Sequence, residues 1–312
     1  IRCCLPKTAW PPTSLNNSLI EIRKSKTINE LFKAPSVIVW KKHLDGDMSE
    51  LIWAPEIHYI DKKWYIYFAA APNKEVTGIT FNHRMYVIEC LDADPLTGTW
   101  TEKGQIKTGW ESFSLDATIL QHKGKLYYIW AQEDRNVNYE SHSNIYIAEM
   151  ENPWTLRTKP VMLTQPLLDW EIKIFWVNEG PAILKKNGKI FLTYSASATD
   201  ENYCMGMLVV NENDDLLDPK SWKKLEKPVF KTSYKNKQYG PGHNSFTVSE
   251  DGMKDLLVYH ARNYTDIEGD PLYDPNRHTR VQVIEWDKDG FPIFGEPVMD
   301  TRNVDFDSLR KK

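Results

Sequence analysis

The apolar and polar positions of this chain fall into a repeating unit. A run of alternating or apolar residues is followed by a short polar turn and then by a second run rich in β-formers. WAPEIHYI, beginning at Trp53, leads through Asp61-Lys62-Lys63 into WYIYFAA; SLDATIL, beginning at Ser114, leads through His122-Lys123-Gly124-Lys125 into LYYIWAQ. VNEGPAIL, beginning at Val177, leads through KKNGK into IFLTYSAS, and GPGHNSF, beginning at Gly240, leads through SEDGMKD into LLVYHAR. Each copy predicts a β-hairpin with a chemically active residue at its mouth. Those residues are Glu56, Asp116, Glu179 and His243, at intervals of 60, 63 and 64, and the second strands begin at Trp64, Leu126, Ile190 and Leu256, at intervals of 62, 64 and 66. Two landmarks that drift together are a repeat.

A period of about sixty residues built from strands and turns, with almost no helical pattern, predicts a β-propeller with long blades. The expectation is an all-β, single-domain, five-bladed propeller over 1–312, its first blade incomplete. Blade one is partial over 1–49, with SLIEIRKS and PSVIVW as later strands. Blade two covers 50–109, with RMYVIECLDAD and TWTEKGQI as third and fourth strands. Blade three covers 110–169 with SNIYIAEM third, blade four 170–238 with MGMLVV, and blade five 239–298 with TRVQVIEW. In such a blade the first strand lines the central channel, so Glu56, Asp116, Glu179 and His243 are expected to converge on one axis. Strands alternate in direction, which brings the loops 132–142 and 262–279 to the same mouth. The second of these is long and polar for a connector, as functional loops are.

Composition narrows the function classes. Aromatic residues make up 12% of the 312, including 12 Trp and 15 Tyr, which suits both strand packing and sugar stacking. A net charge of −4 gives no electrostatic footprint for nucleic acid or an anionic membrane, and no apolar run is long enough to span a bilayer. The expected partner is a neutral polar molecule. Cys3, Cys4, Cys90 and Cys204 have no metal-ligand spacing and read as free thiols. The chain starts at Ile, without a visible signal peptide, and the natural amino terminus is expected upstream of it.

Glu179 is the candidate general acid. It lies between Asn178 and Gly180-Pro181 and after Phe175-Trp176, a setting that desolvates a carboxyl, and Asp116 adds like-charge repulsion. Hydrolysis of a glycoside with inversion needs such an acid and, about 6.5–9.5 Å away, a base that activates water. Opposed carboxylates about a propeller axis suit that spacing, with Glu56 or Asp116 available as the base.

The four hairpin motifs together resemble glycoside hydrolase family 43, the five-bladed inverting enzymes active on arabinan and xylan, over residues 15–300. Their wording is closest to the exo-acting α-L-arabinofuranosidases. The resemblance implies that Glu179 is the general acid and that Asp116 tunes and orients it. It implies a base Asp in an Ala-Asp-Pro motif on the first strand of blade one, which falls upstream of residue 1. Ala93-Asp94-Pro95 repeats those letters, but at a turn far from the mouth.

His243 is expected near the axis, as a hydrogen-bonded core residue or as a contact for a structural calcium ion; no cofactor is required. Arg262 of YHAR resembles the arginine that reaches the sugar pocket, or else pairs with a mouth acid. Trp53, Glu56 and Trp176 are substrate-binding candidates, the tryptophans either walling the sugar or packing the blades. Trp130, Phe175, Asn144 and Arg280 are weaker candidates from topology alone. The expected activity is release of terminal α-L-arabinofuranosyl units from arabinan or arabinoxylan-derived saccharides, in a secreted enzyme. The rivals are β-xylosidase, endo-arabinanase and a sugar-binding propeller without catalysis.

Overall fold

The computed structural model describes residues 17–137 and 141–300; Cys3 and Cys4 lie outside them. The chain is all-β with almost no helix: the described residues hold one four-residue α-helix, Ile28–Leu31, and two 3-10 turns, Pro219–Ser221 and Pro271–Tyr273. Four antiparallel sheets follow one another. Sheet I comprises Glu50–Ile60, Lys63–Ala71, Arg84–Cys90 and Trp100–Gln105 in that spatial order. Sheet II comprises Ser114–His122, Lys125–Gln132 and Asn144–Asn152, with Thr155–Leu156 and Val161–Thr164 both on its outer strand. Asn178–Lys186, Lys189–Ala196, Cys204–Asn211 and Lys223–Lys224 form sheet III, and Tyr239–Val248, Asp255–Arg262 and His278–Val283 form sheet IV.

The order within each sheet is the order along the chain, and the inner strands touch in succession, I with II, II with III and III with IV. This is a β-propeller. An amino-terminal hairpin, Leu19–Arg23 with Ser36–Lys41, packs on sheet I, where Ile20, Ile22 and Trp40 meet Ile66, Phe68 and Ile88. Between the two strands of this hairpin, the Ile28 amide donates to Glu250, in the first turn of sheet IV, at 2.9 Å.

The core lies between sheets. Tyr65, Tyr67 and Ala69 of sheet I pack against Leu115, Ile119 and Trp130 of sheet II, which meet Leu192 and Tyr194 of sheet III. Phe191, Met205 and Met207 then pack with Leu257 and Tyr259 of sheet IV. Second strands are covered on both faces, which is why KWYIYFAAA and KIFLTYSA read as nearly continuous apolar runs. Cys90 and Cys204 are buried free thiols, as expected. TRVQVIEW divides: His278–Val283 completes sheet IV, while Glu285–Trp286 pairs separately with Pro292–Ile293.

Candidate active site at the propeller axis

The inner strands of all four sheets carry the same irregularity. Pairing jumps from Trp53↔Ala69 to Glu56↔Tyr67, from Leu115↔Ala131 to Thr118↔Ile129, from Glu179↔Ser195 to Ala182↔Thr193, and from Gly242↔His260 to Ser245↔Val258. Two residues therefore stand opposite one, and the single residue is a buried aromatic each time: Phe68, Trp130, Tyr194 or Tyr259. The first of the two has a positive φ, 44° at Ala54, 55° at Asp116, 55° at Gly180 and 44° at His243. Only glycine adopts that conformation without penalty; for the others it costs roughly 1 kcal/mol or more. A bulge of this kind bends the strand and re-aims its side chain. Pro55 and Pro181 fill second places in the bulges, where a missing N–H is tolerated.

The bulges correct the spacing read from the sequence. Asp116 and His243 are equivalent positions, but Glu179 stands one residue before its bulge and Glu56 two residues after the positive-φ residue of its own. Three of the bulges converge. The Gly180 amide donates to Asp116 Oδ2 at 3.0 Å, and His243 Nδ1 lies 3.8 Å from the same oxygen. A Cβ on Gly180 would lie in ordinary contact with the His243 ring, 3.4 Å from its Cγ, so the glycine is favoured here by its left-handed backbone.

Glu179 is held from both sides. The Tyr203 hydroxyl donates to its Oε1 at 2.6 Å. Behind it, the fully buried Asn178 donates to Glu171 Oε1 at 3.2 Å and accepts from Thr164 at 3.2 Å, and its amide bonds to Ser143 O at 3.0 Å. Glu171 has no exposure and is neutralised by Lys224 at 2.7 Å, with the Tyr194 hydroxyl also at 2.7 Å. A satisfied buried network of this sort fixes backbone position.

Electrostatics set the two acids apart from the other carboxylates. Burial, and after it the charge of Asp116, pushes the Glu179 carboxyl up to about 7, against opposing effects of Tyr203, His243 and Arg277. Burial likewise raises Asp116 to about 7, opposed by the Gly180 N–H and reinforced by Glu56. His243 is pushed below its usual range, chiefly by burial, which keeps the imidazole neutral near pH 7.

A stability consequence follows. An acid whose folded-state value is raised binds its proton more tightly in the folded protein, so its stabilising contribution is complete below pH 4.5 and is lost as pH climbs toward about 7. Glu179→Gln removes that loss. The variant is expected to melt higher than the parent at pH 8, by about 3 °C or more, with the gap closing at pH 4, as scanning calorimetry at both values will show.

The other residues singled out in the sequence are distributed as follows. Glu56 accepts from Thr118 of the neighbouring sheet at 2.5 Å and lies 2.7 Å from His58 Nε2. Trp53 is half-buried, tilted over His83 at 4.2 Å and edge-on to Phe81 at 5.5 Å. Trp176 is half-buried and its carbonyl accepts from the His142 amide at 2.8 Å, while exposed Phe175 stands edge-on to the His142 ring. Trp130 and Asn144 are fully buried, bonded respectively to Gln132 and Ser141. Arg280 pairs with Asp300 at 2.9 Å. Asp94 caps its own turn through Leu96 N and faces Lys24 at 3.6 Å, away from the axis.

Arg262 is 1% exposed, and each guanidinium nitrogen has a protein partner: Asp274 Oδ1 at 3.0 Å, Pro271 O at 2.6 Å and Thr199 O. It pins the 263–277 loop instead of pairing with a mouth acid. Arg262→Ala is expected to cost about 2–3 kcal/mol, because it removes the ion pair to Asp274 and leaves the Pro271 and Thr199 carbonyls without their donor, measurable by urea unfolding. The arginine felt at the acids is Arg277, at the end of that loop. Its charge acts on Glu179, Asp116, His243 and Tyr203, and its buried Nε has no protein partner.

Tyr203 and Arg277 were missed in the sequence. Strand alternation pointed to the loop carrying Arg277 and, applied equally to sheet III, points to 197–203. Calcium beside His243 finds no donor set: among the described residues no three His, Cys, Asp or Glu side chains are grouped to hold a metal ion.

A desolvated carboxyl with a raised proton affinity, a second carboxylate beside it and a propeller mouth around both define a site for acid catalysis on a polar substrate. The chain belongs to glycosyl hydrolases family 43, whose family model matches residues 12–292. It is 55% identical over 281 residues to an extracellular exo-alpha-(1->5)-L-arabinofuranosidase of Streptomyces avermitilis and 50% identical to alpha-L-arabinofuranosidase 43 of Humicola insolens, covering 90% of this chain and 57% of each relative. The chain thus spans little more than half the length of these relatives. The solved structure of an alpha-L-arabinofuranosidase from Lactobacillus brevis is 61% identical, with a TM-score of 0.90 over 92% of this chain and 90% of that one.

Proposed function

We propose that this protein is an inverting glycoside hydrolase that releases terminal α-L-arabinofuranosyl residues from arabinan or arabinose-decorated saccharides. The observation that carries the reading is the Glu179–Asp116 pair, both carboxyls raised to about 7 chiefly by burial, with the charge of Asp116 adding to the rise at Glu179 and that of Glu56 to the rise at Asp116. A carboxylic acid still protonated near neutral pH is what a glycosidic oxygen needs in order to leave. Glu179 protonates that oxygen. Asp116, tied to Gly180 next to Glu179, holds the acid's strand in place and keeps its proton affinity high. His243 lines the pocket, Glu56, Trp53 and Trp176 contact the sugar, and Arg277, in place of Arg262, offers it a guanidinium donor. The water-activating base is assigned to no described residue.

The names of the relatives support the arabinofuranosyl specificity and, in the Streptomyces protein, an extracellular setting. No helix among the described residues is long and apolar enough to cross a membrane. The amino-terminal hairpin is read as part of a fifth blade of one propeller domain spanning 1–312. Incubation with linear arabino-oligosaccharides tests the function: single arabinose units should appear, with inverted anomeric configuration in early proton NMR spectra. Internal cuts or retention of configuration would refute it.

A further inference from the structure

Glu179 has one proton to give and two oxygens that can hold it, and only one orientation serves a leaving group. We propose that Tyr203 is a positioning residue that fixes this choice: its hydroxyl occupies Oε1 as an acceptor and leaves Oε2 to carry the catalytic proton. The proposal deepens the reading of Glu179 as general acid and rests on it.

The hydroxyl lies among groups that are themselves fixed. The His243 backbone N–H, which can only donate, bonds to Ser195 Oγ at 2.7 Å. Ser195 also acts on the Tyr203 hydroxyl, partly opposing the rise in its proton affinity, and Tyr203 donates to Glu179 Oε1 at 2.6 Å. Burial and the nearby charges of Glu179 and Asp116 raise the phenol well above its ordinary range, so it keeps its proton and remains the donor.

The ring cannot easily move. It is 1% exposed and stacks on His260 with centroids 5.5 Å apart and planes 9° from parallel. Gly242 lies so close that a Cβ there would run into the ring, and a Cβ on Gly240 would strike the Asp200 carbonyl of the same loop. The loop itself is tied down by Arg262 on Thr199 O and by Thr232 on Glu201 O. The glycines of GPG, the buried arginine and the stacked imidazole therefore all act on where one hydroxyl points.

Tyr203→Phe removes the hydroxyl and keeps the ring. The charged and titratable groups acting on Glu179 are Asp116, His243, Arg277 and Tyr203, with Glu56 acting on Asp116 and His243; only Tyr203 changes. A hydrogen bond donated to a carboxylate favours its charged form, so losing it raises the proton affinity of Glu179. The alkaline limb of kcat/KM is expected to move up by roughly half to one pH unit. With the proton free to occupy either oxygen, kcat on arabinotriose should fall about tenfold, while 4-nitrophenyl α-L-arabinofuranoside, whose phenolate leaves with little proton assistance, should lose less than about threefold.

A limb at the parent's position, with both substrates affected equally, would overturn the proposal. If the variant turns over too slowly for a profile, carbon-13 NMR titration of the Glu179 carboxyl in variant and parent reads the same shift. Glu179→Gln in parallel separates the two ideas: full activity there sinks the acid assignment itself, whatever Tyr203 does.

Discussion

Glu179→Gln is expected to slow hydrolysis of arabino-oligosaccharides by about 10²- to 10⁴-fold, the range of a lost general acid. The amide keeps the shape of the side chain and can still accept from Tyr203, so the loss isolates the proton. Turnover of 4-nitrophenyl α-L-arabinofuranoside should fall much less at saturating substrate, because its leaving group departs as a stable anion. A parallel loss on both substrates would mean that the residue serves binding or folding, and an unchanged rate would remove it from the chemistry. Steady-state kinetics on the two substrates decide among these results.

Asp116→Asn carries the second large effect, and its sign is opposite to that of the tyrosine variant. The amide oxygen can still accept the Gly180 N–H, whose bond to the carboxylate is 3.0 Å long. What disappears is a negative charge that raises Glu179. The acid then ionises at lower pH, and the alkaline limb of kcat/KM should move down by about one unit while kcat near pH 7 falls about five- to tenfold. Tyr203→Phe should move the same limb upward. A pair of shifts in opposite directions is hard to produce by general loosening of the site, which would move both variants alike.

Much of this architecture was legible because a repeat is visible wherever each copy needs the same buried strand. The second strands begin at Lys63, Lys125, Lys189 and Asp255, one residue before the apolar runs. A polar residue at the turn still pairs across the ladder, and hydrophobicity does not register it. The convergence of Asp116, Glu179 and His243 was legible for the same reason. Their exact register was not, since a bulge leaves the count of residues between landmarks nearly unchanged while altering which side chain turns inward.

The arginines show another limit. Arg262 and Arg277 both lie in or beside the long polar loop, and composition cannot distinguish the one that ties down backbone carbonyls from the one whose charge is felt at the acids. Tyr203 was hidden differently. It sits in the short connector ENYC, and only its hydrogen bond to Glu179 at the mouth of the same sheet brings it to notice.

The recurrence of a left-handed residue at the same place in every sheet has a consequence for how such a molecule can be altered. Ala54, Asp116, Gly180 and His243 are four mounts of common design, of which Asp116 and His243 bear functional groups and Ala54 and Gly180 stand bare. Exchanging what a mount bears leaves the hairpin beneath it intact, since the neighbouring aromatic continues to seal the wall. New reactivity can accordingly be grafted one side chain at a time, and Ala54, which already carries a Cβ at a positive φ, is the place to begin.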